Sequence, residues 1–150
     1  MKSHYVCVMI FRSCDTKRDV EFLVMDSVST DPRSGKKTNK QVKFPGGMNR
    51  IPDESIQLTL QREALEETHL ALLPEAGKEV WKKEVNAEHV KYGFLVNFQH
   101  CRGELRTEVL HDSGDEMSPP YWATVSDLRF VLYDTHQPPF VAACRELGVL

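Results

Sequence analysis

Segments with the residue pattern of β-strands dominate this sequence and restrict the fold more than any other feature does. Residues 4–11 and 20–28 alternate or run apolar and are rich in β-branched and aromatic side chains, which is typical of strands. Two helices are predicted, one at residues 55–68 that is capped by Ser55, and one at residues 140–147. The sequence therefore predicts an α/β fold in which strands outnumber helices. The shorter predicted elements are strands at residues 41–44, 80–85, 89–99, 104–110 and 121–125 and a helical turn at residues 127–132.

The bulk properties of the chain exclude several classes of protein. Its 150 residues suffice for a single domain, predicted over residues 1–150, that buries a core without disulfides. No apolar run approaches the ~20 residues that span a bilayer, and the first residues lack the long apolar stretch of a signal peptide. The four cysteines are scattered without a CxxC pair, which is typical of reduced thiols in a cytoplasmic protein. A net charge of −3 gives no support for general nucleic-acid binding.

The segment at residues 31–43 is strongly basic although the whole chain is slightly acidic. Against the single acidic residue Asp31 it carries five cations, namely Arg33, Lys36, Lys37, Lys40 and Lys43. A basic run of this kind is most often a solvated loop whose lysines keep the protein in solution. Because this loop leads directly into the turn at residues 45–47, its lysines are also candidates for binding an anionic substrate.

A cluster of carboxylates on the first predicted helix is the strongest chemical signal in the chain. Glu63, Glu66 and Glu67 are separated by three and four residues. Because each helical residue turns about 100° around the axis, these three side chains share one face. Like charges at this spacing repel one another, more strongly where the helix is buried. Hard cations such as Mg²⁺ prefer carboxylate oxygens and would turn this repulsion into attraction.

The alternative interpretation of the three glutamates is a solvated acidic face without a ligand. The apolar residues of the helix argue against it, because they are distributed around more than one side of the helix, at Leu58, Leu60, Ala64 and Leu65. This distribution indicates a helix that packs on two sides. A charge cluster on a mostly buried helix needs partners, which favours a metal site.

At these residues the sequence resembles the Nudix box, the motif of the Nudix hydrolase family. Gly47, Glu54 and the segment REALEETHL at residues 62–70 fit the family's glycine, glutamate and Arg-Glu-aliphatic-any-Glu-Glu-any-Gly-aliphatic run. Seven residues separate Glu54 from Arg62, as the motif requires, and the Pro-Gly-Gly of residues 45–47 is also common in the family. A long, spaced motif of this kind is far more specific than a lone glycine pattern.

Two positions depart from the family motif. Six residues instead of five separate Gly47 from Glu54, so the loop carries one extra residue near Pro52, while Asp53 has the five-residue spacing. His69 stands where the family has a glycine, and glycine ends a helix with positive φ at lower cost than histidine does. Both departures lie outside the carboxylate face, and they keep a catalytically weak member of the family in consideration.

The resemblance implies a Nudix-type α/β/α sandwich with a mixed central sheet, and a divalent-metal site. The implied cofactor is Mg²⁺, for which Mn²⁺ would substitute. Glu63 and Glu67 would be the principal ligands, with Glu66 as a further ligand or as the general base. The carbonyl of Gly46 would be another ligand. Because the segment DEMSPPYWATVSDL at residues 115–128 is similar to the family's late segment, Glu116 would be a loop carboxylate that reaches the metal, or the base in place of Glu66.

The other motif residues are implied to be structural or to bind substrate. Arg62 would pair with Glu54 and tie the loop to the helix, and Gly47 would be a structural residue of the same motif. Lys43 would contact the distal phosphates of a polyanionic substrate. Phe44 is a candidate for stacking on the base of that substrate.

The function implied by the resemblance is that of a Nudix-type pyrophosphohydrolase, an enzyme that acts on acid anhydrides. Its substrate would be a nucleoside diphosphate linked to another group, such as a nucleoside triphosphate, a dinucleoside polyphosphate or a nucleotide sugar. Two alternatives remain open: a catalytically weak nucleotide-binding or regulatory module, and an RNA 5′-end pyrophosphohydrolase, which the basic loop alone supports. The implied partner is a small-molecule nucleotide, with no membrane, no nucleic acid except an RNA 5′ end, and a homodimer as a state common in the family.

Overall fold

The computed structural model describes residues 2–14, 19–112 and 114–149. Within these residues, the chain forms eleven strands and three α-helices. The strands are β1 (Ser3–Cys14), β2 (Asp19–Ser29), β3 (Gln41–Lys43), β4 (Gly46–Met48), β5 (Ala71–Leu72), β6 (Gly77–Asn86), β7 (His89–Asn97), β8 (Cys101–Arg102), β9 (Leu110–Asp112), β10 (Asp115–Met117) and β11 (Tyr121–Thr124). The helices are α1 (Ile56–Thr68), α2 (Val125–Val131) and α3 (Gln137–Leu147), with short 3-10 helices at Phe98–His100 and Asp134–His136. Strands outnumber helices, as the sequence predicts.

Nine of the described strands form one mixed sheet around β1. Strand β1 pairs with β7 in parallel, from Ser3 opposite His89 to Phe11 opposite Asn97, and with β2 in an antiparallel manner on its other side. The outer strands β6, β9 and β10 extend this sheet, and β3, β4 and β11 pair with β1 or β2 along their lengths. The predicted mixed central sheet is therefore confirmed.

Both faces of β1 are covered by helices, which explains the uninterrupted apolar run in its sequence. Because successive side chains of a strand point to opposite faces, Val6, Val8 and Ile10 pack on one face against Leu60 and Ala64 of α1. The alternate side chains of β1 pack on the other face against α2 and α3. The fold is the α/β/α sandwich that the sequence predicts.

Two predictions about the region after β7 are wrong. The predicted strand at residues 104–110 is irregular over most of its length, and β8 pairs with β5. Arg106 of this segment is 3% exposed, and its guanidinium donates to backbone carbonyls, including that of Glu67 at 2.7 Å. The segment HDSGDEMSPP at residues 111–120, which the sequence predicts to be a loop, contains β10, which pairs with β9 around the left-handed Gly114 (φ 88°).

Three cysteine side chains of the described residues lie in the protein interior. Cys7, Cys101 and Cys144 are buried and free. Burial raises the pKa of the Cys101 and Cys144 thiols to about 11, so both are protonated at neutral pH. Within the described ranges, every helix is too short or too polar to cross a membrane.

Candidate active site

Strand β4 brings two glycines into contact with the carboxylates of α1. Gly46 and Gly47 pair with β1 opposite Cys7 and Val6 instead of forming only a turn. A Cβ atom on Gly46 would lie 2.3 Å from the Val6 carbonyl oxygen, and one on Gly47 would lie 2.3 Å from Glu63 Oε1. Both distances are far below van der Waals contact, so a side chain at either position would displace the strand or the carboxylate.

Helix α1 presents its glutamates to this strand because of where it begins. Ser55 caps the helix, and its hydroxyl accepts a hydrogen bond from the Leu58 N–H at 3.1 Å. From that start, Glu63 and Glu67 fall on the buried face one turn apart, and each is 8% exposed. Two like charges are therefore held side by side in a largely dehydrated position.

The residue that follows α1 adopts the conformation that the family's glycine would adopt. His69 has φ 68° and ψ 13°, in the left-handed region, and its N–H donates to the Leu65 carbonyl at 3.0 Å. The helix thus ends as the motif requires, although a non-glycine residue in this region is strained. The His69 side chain itself is exposed.

We expect His69→Gly to raise the free energy of unfolding by about 0.5–1 kcal/mol, because strain is relieved and no buried contact is lost. Urea unfolding followed by circular dichroism would measure the change. His69→Ala is the matched control, since alanine removes the imidazole but retains the Cβ atom that causes the strain. An equal gain in both variants would show that strain is not the cause.

The two buried glutamates accept hydrogen bonds from different donors. Glu67 Oε1 accepts the Gly46 N–H at 2.8 Å, and Glu63 Oε1 accepts from Arg62 Nη1 at 2.8 Å. Burial, together with the neighbouring Glu63, raises the pKa of Glu67 to about 8 against the opposing effect of the Gly46 hydrogen bond. Burial also raises the pKa of Glu63, opposed by Arg62. A bound cation would favour the ionised form of both groups.

Arg62 connects the helix to the preceding loop. Its Nε and Nη2 donate to the two oxygens of Glu54 at 3.1 and 2.7 Å, and Nη2 also donates to the Met48 carbonyl at 2.9 Å. This two-pronged pair holds the pKa of Glu54 at about 2, well below its usual value. The extra loop residue does not disturb the pair, because the exposed turn at residues 51–53 accommodates it.

Glu66 lies at the edge of the site. Its side chain is 36% exposed, and Oε1 is 2.6 Å from Nη2 of Arg50. Its other oxygen is 3.4 Å from Arg62 Nη1. Of the three glutamates on α1, Glu66 is therefore the one that solvent and a bound substrate reach most easily.

Two cavities, of about 300 and 290 Å³, meet at the buried carboxylate pair. Glu63 and Glu67 line both of them, and so does Asp112 of β9. The remaining residues of the first are Tyr5, Met25, Ser27, Lys43, Phe44, Gly46, Gly47, Met48, Asp115 and Met117, and those of the second are Arg50, Glu66, Leu110 and His111. Together they form a groove with carboxylates at its centre and cations, Lys43 and Arg50, at its two ends.

The structure does not bring Glu116 to this groove, contrary to the sequence-based prediction. Glu116 is the middle residue of β10, so its side chain leaves the face from which Asp115 and Met117 line the cavity. Its Oε1 is 3.8 Å from His111 Nδ1, and it borders a separate depression. The carboxylates opposite α1 are Asp112 and Asp115, which the sequence analysis missed because it treated the hairpin as a loop.

Lys43 and Phe44, the two residues predicted to bind substrate, differ in how far they are buried. Lys43 lines the first cavity, with Nζ 4.6 Å from the ring centre of Tyr133. Phe44 is 2% exposed, and its ring packs against Phe22 and is stacked on His136 with centroids 5.8 Å apart. The ring of Phe44 is thus a core side chain that reaches only the wall of the cavity, and this position does not support the prediction that it stacks on a base.

The carboxylate pair suits a divalent cation, although a complete ligand set is not preformed. In the described residues, no group of three or more His, Cys, Asp or Glu side chains has the arrangement of a metal site. Glu63 and Glu67 nevertheless place hard oxygen donors in a buried position where their own charges are unfavourable. Mg²⁺ commonly binds through one or two carboxylates and completes its shell with water and substrate phosphates. The donor set fits that mode of binding.

In the absence of metal, we expect the free energy of unfolding to fall as pH rises toward 8. The pKa of Glu67 is about 8 in the folded protein and 4.5 ordinarily, so between these values the folded state holds a proton that the unfolded chain releases. The stabilisation from this proton is complete below the pKa of the unfolded chain and is lost as the pH rises through the pKa of the folded protein. Between the two values, the free energy of unfolding falls by at most about 1.4 kcal/mol per pH unit. Urea unfolding in EDTA would measure it.

Glu67→Gln provides the control for this pH dependence. The variant cannot titrate at this position, so the slope between the two pKa values should become flatter. An unchanged slope in the variant would show that other groups cause the pH dependence.

A family model and several solved structures match this chain. The family model described as NUDIX domain matches residues 4–144. A MutT structure from work on Aliivibrio salmonicida and Vibrio cholerae has 16% identity and a TM-score of 0.65 over 97% of this chain and 99% of that one. The NUDIX domain of Shewanella oneidensis NrtR, complexed with ADP ribose, has 17% identity and a TM-score of 0.64 over 98% and 89%.

A third similar structure is the MutT NUDIX hydrolase from Burkholderia pseudomallei, with 18% identity and a TM-score of 0.64 over 95% of this chain and 98% of that one. None of the curated protein sequences matches this chain. At these identities the structural similarity establishes the fold, whereas the family model establishes the relationship.

Proposed function

Because this chain belongs to the Nudix family, we propose that it hydrolyses a phosphoanhydride bond in a nucleoside diphosphate linked to another group, using a divalent metal ion. Its substrate would be a small nucleotide such as a nucleoside triphosphate, a dinucleoside polyphosphate or a nucleotide sugar. The similar domain that is complexed with ADP ribose supports including a nucleotide sugar in this set.

One observation carries the proposal: Glu63 and Glu67 are buried side by side in a groove, each 8% exposed. Two adjacent buried carboxylates destabilise the protein unless they are protonated or bind a cation. A module that only binds nucleotides has no need of this arrangement. We assign the metal to Glu63 and Glu67, with the Gly46 carbonyl as an additional donor. Glu66 would be a further ligand only if it is not the general base.

A divalent cation at this position would supply charge neutralisation for the phosphates and acidify a bound water. The residues of the chain then perform the remaining tasks. Arg62 keeps Glu63 in place through the hydrogen bond from Nη1. Lys43, at one end of the groove, would bind a phosphate that does not react, and this contact would orient the bond to be broken.

We assign the general base to Glu66. Of the two residues predicted for this role, Glu66 borders the groove and Glu116 does not. Its ion pair with the exposed Arg50 is of the kind that contributes little to stability, so substrate would displace it readily. The Glu66 carboxylate would take the proton from the attacking water as the new bond to phosphorus forms and the bridging P–O bond breaks.

The experiment that tests this function is the release of phosphate and pyrophosphate from a panel of substrates. The panel would contain nucleoside triphosphates, dinucleoside polyphosphates, ADP-ribose, nucleotide sugars and RNA with a 5′-triphosphate, each with Mg²⁺, with Mn²⁺ and with EDTA. We expect metal-dependent turnover of at least one small nucleotide. Nucleotide binding without turnover would contradict the proposal and favour the regulatory module, and turnover of RNA alone would favour the 5′-end enzyme.

A further inference from the structure

A chain of hydrogen bonds connects the backbone beside the groove to a tyrosine in its wall. The Phe44 N–H donates to His136 Nδ1 at 3.0 Å, and His136 Nε2 is 3.1 Å from the Tyr5 hydroxyl. His136 is 4% exposed, and its ring is fixed by stacking on Phe44. The three groups come from β1, from the segment between β3 and β4, and from the 3-10 helix before α3.

The direction of every hydrogen bond in this chain follows from its first donor. A backbone N–H only donates, so His136 Nδ1 must be the acceptor and carries no proton. Burial, together with the positive charge of Lys43, lowers the pKa of His136 to about 4, so the imidazole is neutral at physiological pH. Its single proton is therefore on Nε2, which donates to the oxygen of Tyr5.

The proton of the Tyr5 hydroxyl consequently points away from His136. Among the described residues, the hydrogen bond that the structure shows for this hydroxyl is the one with His136. The hydroxyl oxygen is next to Gly46, since a Cβ atom there would lie 2.9 Å from it, and Tyr5 and Gly46 line the same cavity. Burial and the nearby glutamates raise the pKa of Tyr5 well above its usual value, so the proton stays on the oxygen.

We propose that Tyr5 is a substrate-binding residue whose hydroxyl, oriented by His136, donates a hydrogen bond to a phosphate oxygen in this cavity. The Lys43 ammonium lines the same cavity and provides a second donor for a phosphate. The carboxylates of the cavity would be neutralised by the divalent cation of the proposed function. Because His136 donates to the hydroxyl oxygen, the hydroxyl proton can be donated to a ligand oxygen that takes the place of water in the cavity. This inference rests on the proposed function, since it identifies the residue that receives a phosphate of that substrate.

The first test is Tyr5→Phe, which removes one oxygen and keeps the ring. Loss of a hydrogen bond to a charged oxygen should raise KM by roughly 10-fold or more, while kcat changes by less than about 3-fold. Tyr92→Phe is the matched control, because Tyr92 lies on β7 outside the groove and should keep the KM of the wild type. A wild-type KM in Tyr5→Phe would overturn the inference and leave the proposed function intact.

Binding of inorganic pyrophosphate, measured by calorimetry in the presence of Mg²⁺, separates the two hypotheses. If the wild type hydrolyses nothing in the panel, the proposed function fails, and a roughly 10-fold weaker Kd in Tyr5→Phe would still support the role of Tyr5. Equal Kd values in the two proteins, or no binding by either, would overturn it.

A measurement on the wild type tests the orientation without any substitution. The nitrogen-15 NMR spectrum of the His136 imidazole should show the proton on Nε2 and an unprotonated Nδ1. The opposite tautomer would mean that the Tyr5 hydroxyl donates to His136, and the proposal would be wrong.

Discussion

Replacing Glu67 with glutamine is expected to lower kcat by about 10²–10³-fold with Mg²⁺ present, because a neutral amide cannot balance the charge of a cation. The carboxylate is 8% exposed and receives the Gly46 N–H, an interaction that the amide oxygen of glutamine can retain. The fold should therefore survive the change. Initial rates on the best substrate of the panel, together with thermal unfolding, would separate a loss of chemistry from a loss of structure.

Glu116→Gln is the matched control for this prediction. It makes the same chemical change at a half-exposed glutamate that borders a different depression. We expect kcat to stay within about 3-fold of the wild type, because distant exposed charges contribute little. Full activity in Glu67→Gln combined with a large loss in Glu116→Gln would reverse our assignment of the site.

Arg62→Met is expected to lower the free energy of unfolding by about 3–5 kcal/mol, because it leaves largely buried carboxylates without their partner. The guanidinium is 18% exposed, and it makes contacts with Glu54, Glu63 and the Met48 carbonyl. Methionine has a similar length, so most of the loss would come from the unpaired charges. Urea unfolding at neutral pH would measure the change.

Two further variants identify the origin of that loss. Adding Glu54→Gln to Arg62→Met removes one uncompensated charge and should restore part of the stability, by about 1–2 kcal/mol. Arg12→Met is the exposed comparison, since Arg12 pairs with Glu21 at 3.0 Å but is 41% exposed, and it should cost about 1 kcal/mol or less. Equal losses in Arg12→Met and Arg62→Met would contradict our account of the buried pair.

The local patterns in the sequence predict the elements that are regular and covered on both faces. The alternation in residues 4–11 and 20–28 predicts β1 and β2, and Ser55 predicts the start of α1. These predictions are correct because period and capping are properties of neighbouring residues. The spacing of the motif also places Arg62 within reach of Glu54, since both belong to one segment.

Predictions that depend on which face of a short element points inward were less reliable. Glu116 was selected because the segment at residues 115–128 resembles the family's late segment, in which a loop glutamate precedes a strand. In the structure it lies on β10, where successive side chains point to opposite faces, so Asp115 lines the groove and Glu116 does not. Phe44 follows directly after Lys43, yet its ring lies in the core at 2% exposure. The direction of either side chain can be predicted only when the pairing of the neighbouring strands is known.

The sequence by itself determines the helix that carries the carboxylates, the glycines that approach it and the arginine that holds it, because these residues interact within one continuous segment. The tertiary structure alone decides the opposite wall of the groove, where Asp112 and Asp115 meet Glu67. The tertiary structure also decides the direction in which the Tyr5 hydroxyl donates its proton, because that direction depends on His136, 131 residues away. The sheet brings distant segments into contact, and no periodicity along the chain records which of them will meet.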